Sequence, residues 1–173
     1  MGKVKMILVL LFFAVQFYGQ QKKDNKAEIQ NIINLYSKSV IERDSISFYS
    51  LFNDDDVTWC AAYKDRTQAK EVEAKGEKAS NNNYFSGSYK KFLRGLFRYK
   101  ETEDKFDSIK IIEDGTVASV TMNYSFWADH KMTNWGSKYL NLIKKEGKWK
   151  ITSVIYSLEL VKYFKPHVEK NSN

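Results

Sequence analysis

From Lys105 onward the chain is written in a two-residue period, and three turn dipeptides break it. Asp114-Gly115 divides residues 106–113 from 116–128, Asp129-His130 divides these from 132–144, and Glu146-Gly147 divides those from 148–160. Asp-Gly is among the strongest short signals for a tight hairpin turn, and strict alternation marks strands with one buried face. Four long antiparallel strands in a meander follow.

The chain before this point runs on a different period. Ile29, Ile32, Ile33, Tyr36 and Val40 form one helical stripe, opened by a capping box at Asn25-Lys26-Ala27-Glu28. Asp44 or Ser45 caps a second, short helix carrying Phe48, Leu51 and Phe52, and Asn53 to Asp56 ends it. Residues 57–63 have a strand's composition. Residues 64–83 form a polar, partly helical excursion. Tyr89, Phe92, Leu93, Leu96 and Phe97 then mark an amphipathic helix whose outer face is Lys90, Lys91, Arg94 and Arg98. Helices first and a sheet afterwards argue an α+β fold, not an alternating α/β one.

The first residues read as an address. Lys3 and Lys5 precede ten apolar residues, 6–15, and a small residue follows at Gly19. That is the layout of a secretory signal peptide, and the apolar run is shorter than the roughly 20 residues a spanning helix needs. The expected organisation is a signal peptide over residues 1–20 and a single domain over residues 21–173 with a polar C-terminal tail, secreted or periplasmic. The formal charge is +7, of which Lys3 and Lys5 supply two, and both signs are interspersed. No nucleic-acid partner and no stable membrane insertion after cleavage are expected. Lys90, Lys91, Arg94, Arg98 and Lys100 interleave with aromatics, which the outer face of an amphipathic helix explains. The single cysteine, Cys60, excludes an intrachain disulfide and reads as a buried structural thiol. His130 sits in a hairpin turn and His167 in the tail. No metal-ligand spacing occurs, and no metal or cofactor is expected.

The order of elements resembles the nuclear transport factor 2-like (SnoaL-like) superfamily. Three stretches carry the resemblance: Phe48 to Trp59, Tyr124-Ser125-Phe126-Trp127 with Asn134-Trp135-Gly136, and Gly147 to Ser157. They are similar to exported bacterial members of unassigned activity. The resemblance implies a cone in which helices cover the concave face of a long, curved antiparallel sheet and leave a pocket. It carries no activity with it, because shared fold is not shared function.

Along residues 116–128, Ala118, Val120, Met122, Tyr124 and Phe126 share the apolar face, which should point inward. A two-residue turn at Asp129-His130 pairs Tyr124 with Trp135 and Val120 with Tyr139. Trp59, Tyr124, Trp135 and Tyr139 are therefore the expected ligand-binding residues. Two readings of these aromatics stand at this point: they line a cavity for a small apolar ligand, or they fill the core. Residues 116–128, 132–144 and 148–157 contain no Asp or Glu. A catalytic acid would have to come from Asp56, Asp65 or Glu42, so no catalytic residue is assigned. The expectation is a non-enzymatic binding or accessory domain. The alternative is an isomerase, cyclase or dehydratase using Tyr124 and an off-strand carboxylate. The last strand is apolar on both faces, with Trp149, Ile151 and Ile155 against Val154, Tyr156, Leu158 and Leu160. That pattern predicts a homodimer through the outer face of the sheet.

Overall fold

The computed structural model describes residues 24–54, 56–78 and 82–166. The expected signal peptide, residues 1–20, and His167 lie outside the described residues. Helices α1 (Asn25–Glu42) and α2 (Ser45–Ser50) lead into strand β1 (Thr58–Tyr63). Helix α3 (Asp65–Lys75), strand β2 (Tyr84–Ser86) and helix α4 (Tyr89–Leu96) follow. Strands β3 (Thr102–Glu113), β4 (Val117–Ala128), β5 (Lys131–Lys145) and β6 (Lys148–Leu160) complete the chain. The meander expected from the period is present, extended by β1, which pairs parallel to β6, and by β2 at the edge. The sheet order is β2-β1-β6-β5-β4-β3.

Capping differs in detail from the expectation. Asp24, not Asn25, caps α1, its carboxylate accepting from the amides of Lys26 and Ala27. Asp44 caps α2 and the Ser88 hydroxyl caps α4, each satisfying amides the helix leaves free. Ile29, Ile33, Tyr36 and Val40 of α1 and Tyr89, Leu93 and Leu96 of α4 press onto one face of the sheet. The end of α1 is tied down by Arg43, whose guanidinium donates to the carbonyl oxygens of Tyr99 and Lys100.

Three bulges decide which side chains face this core. In β3 the register shifts between Asp107 and Lys110, where Ser108 has φ 53°. In the β4–β5 pair it shifts beyond Trp127↔Met132, leaving Thr133 as the extra residue before Phe126↔Asn134. In the β5–β6 pair, Thr152 is extra between Ile151 and Ser153. A bulge residue inverts the facing of everything after it. The third bulge accounts for the two-faced apolar pattern of the last strand: Trp149, Ile151, Val154 and Leu158 are all buried inward, and Ile155 points out. The outer face near the end of β6 is covered by the chain itself. Trp135 donates its indole N–H to the carbonyl of Phe164 at 2.9 Å, and Arg66 of α3 lies over the Phe164 ring. Glu159 is buried there beneath Arg66 and Thr67.

Candidate functional site

Between α4 and the inner face of β3–β6 lies a cavity of about 310 Å³. Trp59 from β1, Phe92 and Leu96 from α4, Phe126 from β4 and Leu158 from β6 form its apolar wall. Trp59 and Phe92 lie ring to ring at 5.1 Å, and Phe92 meets Phe126 at 6.2 Å.

The floor is polar. Asp104 of β3 and Lys138 of β5 face inward and line the cavity, 1% and 3% exposed. The Lys138 ammonium donates to Oδ2 of Asp104. Four rings surround that ammonium, with centroids at 4.7 Å (Tyr124), 4.9 Å (Phe106), 5.1 Å (Tyr36) and 5.6 Å (Tyr156). Oδ1 of Asp104 and the hydroxyl of Tyr36 are buried without a hydrogen-bond partner. The Tyr124 hydroxyl shares its proton between Oδ1 of Asn134 at 3.1 Å and the carbonyl of Ser157 at 3.0 Å.

Burial pushes Asp104 up and Lys138 down, each toward its neutral form, while their mutual attraction opposes both shifts. Burial also pushes Tyr156 up to about 12 and raises Tyr36 and Tyr124 well above their ordinary value, with the Asp104 carboxylate adding to all three. The tyrosines are therefore hydrogen-bond donors throughout the physiological range. A ligand entering the cavity meets an apolar wall, the phenolic hydroxyls of Tyr124 and Tyr156, the Asn134 amide and one buried acid–base pair. Mostly apolar lining with a few convergent polar groups is the usual make-up of a small-molecule site.

The backbone positions this floor. Thr133, the extra residue of the second bulge, turns Asn134, Gly136 and Lys138 inward, and Gly136 stands opposite Tyr124. A Cβ on Gly136 would lie 2.2 Å from the Ser157 carbonyl oxygen, so only glycine lets β6 approach this closely.

Of the four side chains expected to bind ligand, Trp59 and Tyr124 line the cavity. The structure corrects the placement of the other two. Ser125, not Tyr124, pairs with Trp135, and Thr121, not Val120, pairs with Tyr139. Trp135 lies under Lys64 and Phe164, and Tyr139 is 47% exposed on the outer face. The physical cause is the single residue Thr133, which inverts both. The acid also comes from an unexpected place. Asp56, Asp65 and Glu42 do not line the cavity, whereas Asp104 does. Counting back by two from the inward Phe106 reaches Asp104 and Thr102, a signal hidden among the acids from Glu101 to Asp104. Lys138 was hidden by the same register slip that turned Tyr139 inward.

Cys60 is half-buried, its sulfur 3.6 Å from the Ser86 hydroxyl, and it lies outside the cavity. His130 is exposed in the hairpin turn, 3.2 Å from Glu101. It borders a wider groove of about 670 Å³, along with Arg43, Lys100, Glu103 and Trp127. That groove is larger, but its charged walls are solvated, and its buried polar side chain, Thr102, is already committed to the Val40 carbonyl. The conical cavity is the candidate site.

A layered α+β cone with an interior pocket is the class of protein these features define. No protein-family model matches the chain, and no curated protein is similar to it in sequence. Solved structures do share its fold. A nuclear transport factor 2-like protein of unknown function from Shewanella baltica OS155 aligns over 82% of this chain and 98% of its own, with 17% identity and a TM-score of 0.54. A candidate scytalone dehydratase from Novosphingobium aromaticivorans DSM 12444 aligns over 78% and 84%, with 17% identity and a TM-score of 0.57. A cystatin-like protein of unknown function from Nostoc punctiforme PCC 73102 aligns over 80% and 93%, with 11% identity and a TM-score of 0.56. This chain has the nuclear transport factor 2-like fold, as its sequence resemblance implied.

Proposed function

We propose that the protein binds a small, largely apolar molecule in the conical cavity, with an oxygen function of that molecule directed at Asp104 and Lys138. The observation that carries this reading is a buried ion pair exposed only to the cavity, with one carboxylate oxygen still lacking a partner. A carbonyl meets the Lys138 ammonium and the phenolic donors, and a hydroxyl meets Oδ1 of Asp104. Native mass spectrometry of the purified protein tests it. A co-purified small molecule, lost in Asp104→Leu/Lys138→Met, is expected. Ligand-free protein that also fails to take up small aromatic ketones would refute it.

Catalysis is the second reading, and the acid in the cavity favours it. Oδ1 of Asp104 can accept a proton while Lys138 or a tyrosine holds the developing charge, which is general acid–base chemistry. The candidate scytalone dehydratase among the structural neighbours supports this reading by fold only. Exchange of protons next to a ketone for solvent deuterium, abolished by Asp104→Asn, would establish it.

Export and self-association belong to the same proposal. No helix among the described residues is long and apolar enough to cross a membrane. N-terminal sequencing of protein from its host should find a chain beginning near Gln20 or Gln21. The homodimer would use the outer face of the sheet, where Tyr139 and its cross-strand partner Ile155 are exposed, as are Val117 and Ile112. Sedimentation equilibrium at micromolar concentration showing only monomer would end that part.

A further inference from the structure

The basic helix noted in the sequence borders the cavity. Residues 84–100 carry Lys90, Lys91, Arg94, Arg98 and Lys100 and no acid. Lys91 and Arg98 line the same cavity as Asp104 and Lys138, at its α4 side, and both are exposed. Elsewhere in the domain Lys38, Arg66, Lys70, Lys75, Lys105, Lys144, Lys145 and Lys162 each pair with Asp or Glu. Among the described residues no carboxylate pairs with Lys91 or Arg98, and the Arg98 guanidinium rests on the Tyr99 ring at 4.9 Å. Deeper inside, the one cation is already neutralised by Asp104. The cavity is thus apolar along its wall, neutral and polar at its floor, and positive at its mouth.

We propose that the cavity selects organic anions, with a carboxylate or sulfonate held at the mouth by Lys91 and Arg98 and the apolar body against Trp59, Phe92 and Phe126. This rests on the small-molecule reading above and adds the ligand's charge and orientation. A neutral ligand of the same shape satisfies the wall but leaves both cations with water. Cations facing one way at a low-dielectric mouth also concentrate anions there, an effect that salt removes.

The test is calorimetric titration of the purified protein with 2-naphthoate and with 2-naphthamide, which share a ring system and differ in charge. Naphthoate should bind roughly tenfold more tightly at low salt, with the preference shrinking as salt rises, the scale expected of two partly exposed charge contacts. In Lys91→Ala/Arg98→Ala, two exposed positions where folding is not at issue, naphthoate should bind no better than naphthamide. Equal binding of both probes to the unaltered protein would overturn anion selection while leaving the cavity as a binding site. Binding of neither would overturn the cavity reading and this proposal with it. If vesicles of anionic phospholipid capture the protein through the same two residues and naphthoate shows no preference, the basic helix is a membrane contact and the proposal fails.

Discussion

Replacing Lys138 by methionine isolates the floor of the cavity. The ammonium is nearly fully buried and is the cation paired with an even more deeply buried carboxylate. Methionine keeps the length and apolar stem of lysine and removes the charge. Asp104 is then left buried without its counter-ion, a change that costs about 3–5 kcal/mol in comparable pairs. Asp104→Leu should cost less, because Lys138 keeps the faces of Tyr36, Phe106, Tyr124 and Tyr156, and cation–π contacts are worth roughly 0.5–2 kcal/mol. The double variant Asp104→Leu/Lys138→Met removes both charges and should fall within about 2 kcal/mol of the unaltered protein or exceed it. Urea unfolding followed by tryptophan fluorescence gives all three values. The pH dependence supplies a second check. In Lys138→Met nothing opposes burial, so the folded protein holds the Asp104 proton more tightly than the unfolded chain does. Stability of that variant should therefore rise as pH falls from 7 toward the ordinary carboxylate range near 4, and its penalty should shrink. A double variant that loses the sum of the two single losses, or a Lys138→Met penalty indifferent to pH, would refute the argument.

Three further outcomes follow from the packing. Gly136→Ala places a methyl group 2.2 Å from the Ser157 carbonyl oxygen, which is backbone and cannot step aside, so thermal unfolding should show a loss of about 1–3 kcal/mol. Glu71 is held at about 2 by hydrogen bonds from Lys162 and Lys75, with Tyr163 adding a third. Its stabilising effect is complete above the unfolded value near 4.5 and is lost as pH falls toward 2, so Glu71→Gln should flatten the acid limb of a stability–pH curve between those values. Deleting Thr133 removes the extra residue of the second bulge and would turn Trp135 and Tyr139 inward and Lys138 outward. The shortened chain should fail to fold cooperatively by circular dichroism.

What the sequence made legible was everything that depends on local period. The stripe of α1, the cap of α2, the three hairpin turns and the inward face of β4 follow from spacings of two, three and four residues. What it hid was register. A bulge is one ordinary residue, here Ser108, Thr133 or Thr152, with no composition to announce it, and each one inverts the facing of the rest of its strand. Trp135 and Tyr139 were misplaced for this reason alone, while Trp59 and Tyr124, on strands with no extra residue, were not. Charge was the second mask. Nothing in the sequence singles out Asp104 or Lys138, because buried charges are rare unless paired, and their pairing spans 34 residues that only the folded sheet brings together.

The bulge, the glycine and the ion pair form one device. Without Thr133, β5 would offer Trp135, Ser137 and Tyr139 to the core, and two large rings would occupy space the cavity now holds. With it, β5 offers Asn134, Gly136 and Lys138, a smaller and more polar set, and the missing Cβ of Gly136 brings the Ser157 carbonyl within reach of Tyr124. This exchange weakens the core as a source of stability, since a buried ion pair contributes little over an apolar replacement of the same volume. It creates a floor with a carboxylate oxygen and phenolic donors open to whatever fills the cavity. The double variant of Asp104 and Lys138 therefore separates the two roles of the site. If that variant keeps its stability and loses its ligand, the pair is there for recognition. If it loses stability and keeps the ligand, the pair is part of the packing, and binding resides in the apolar wall.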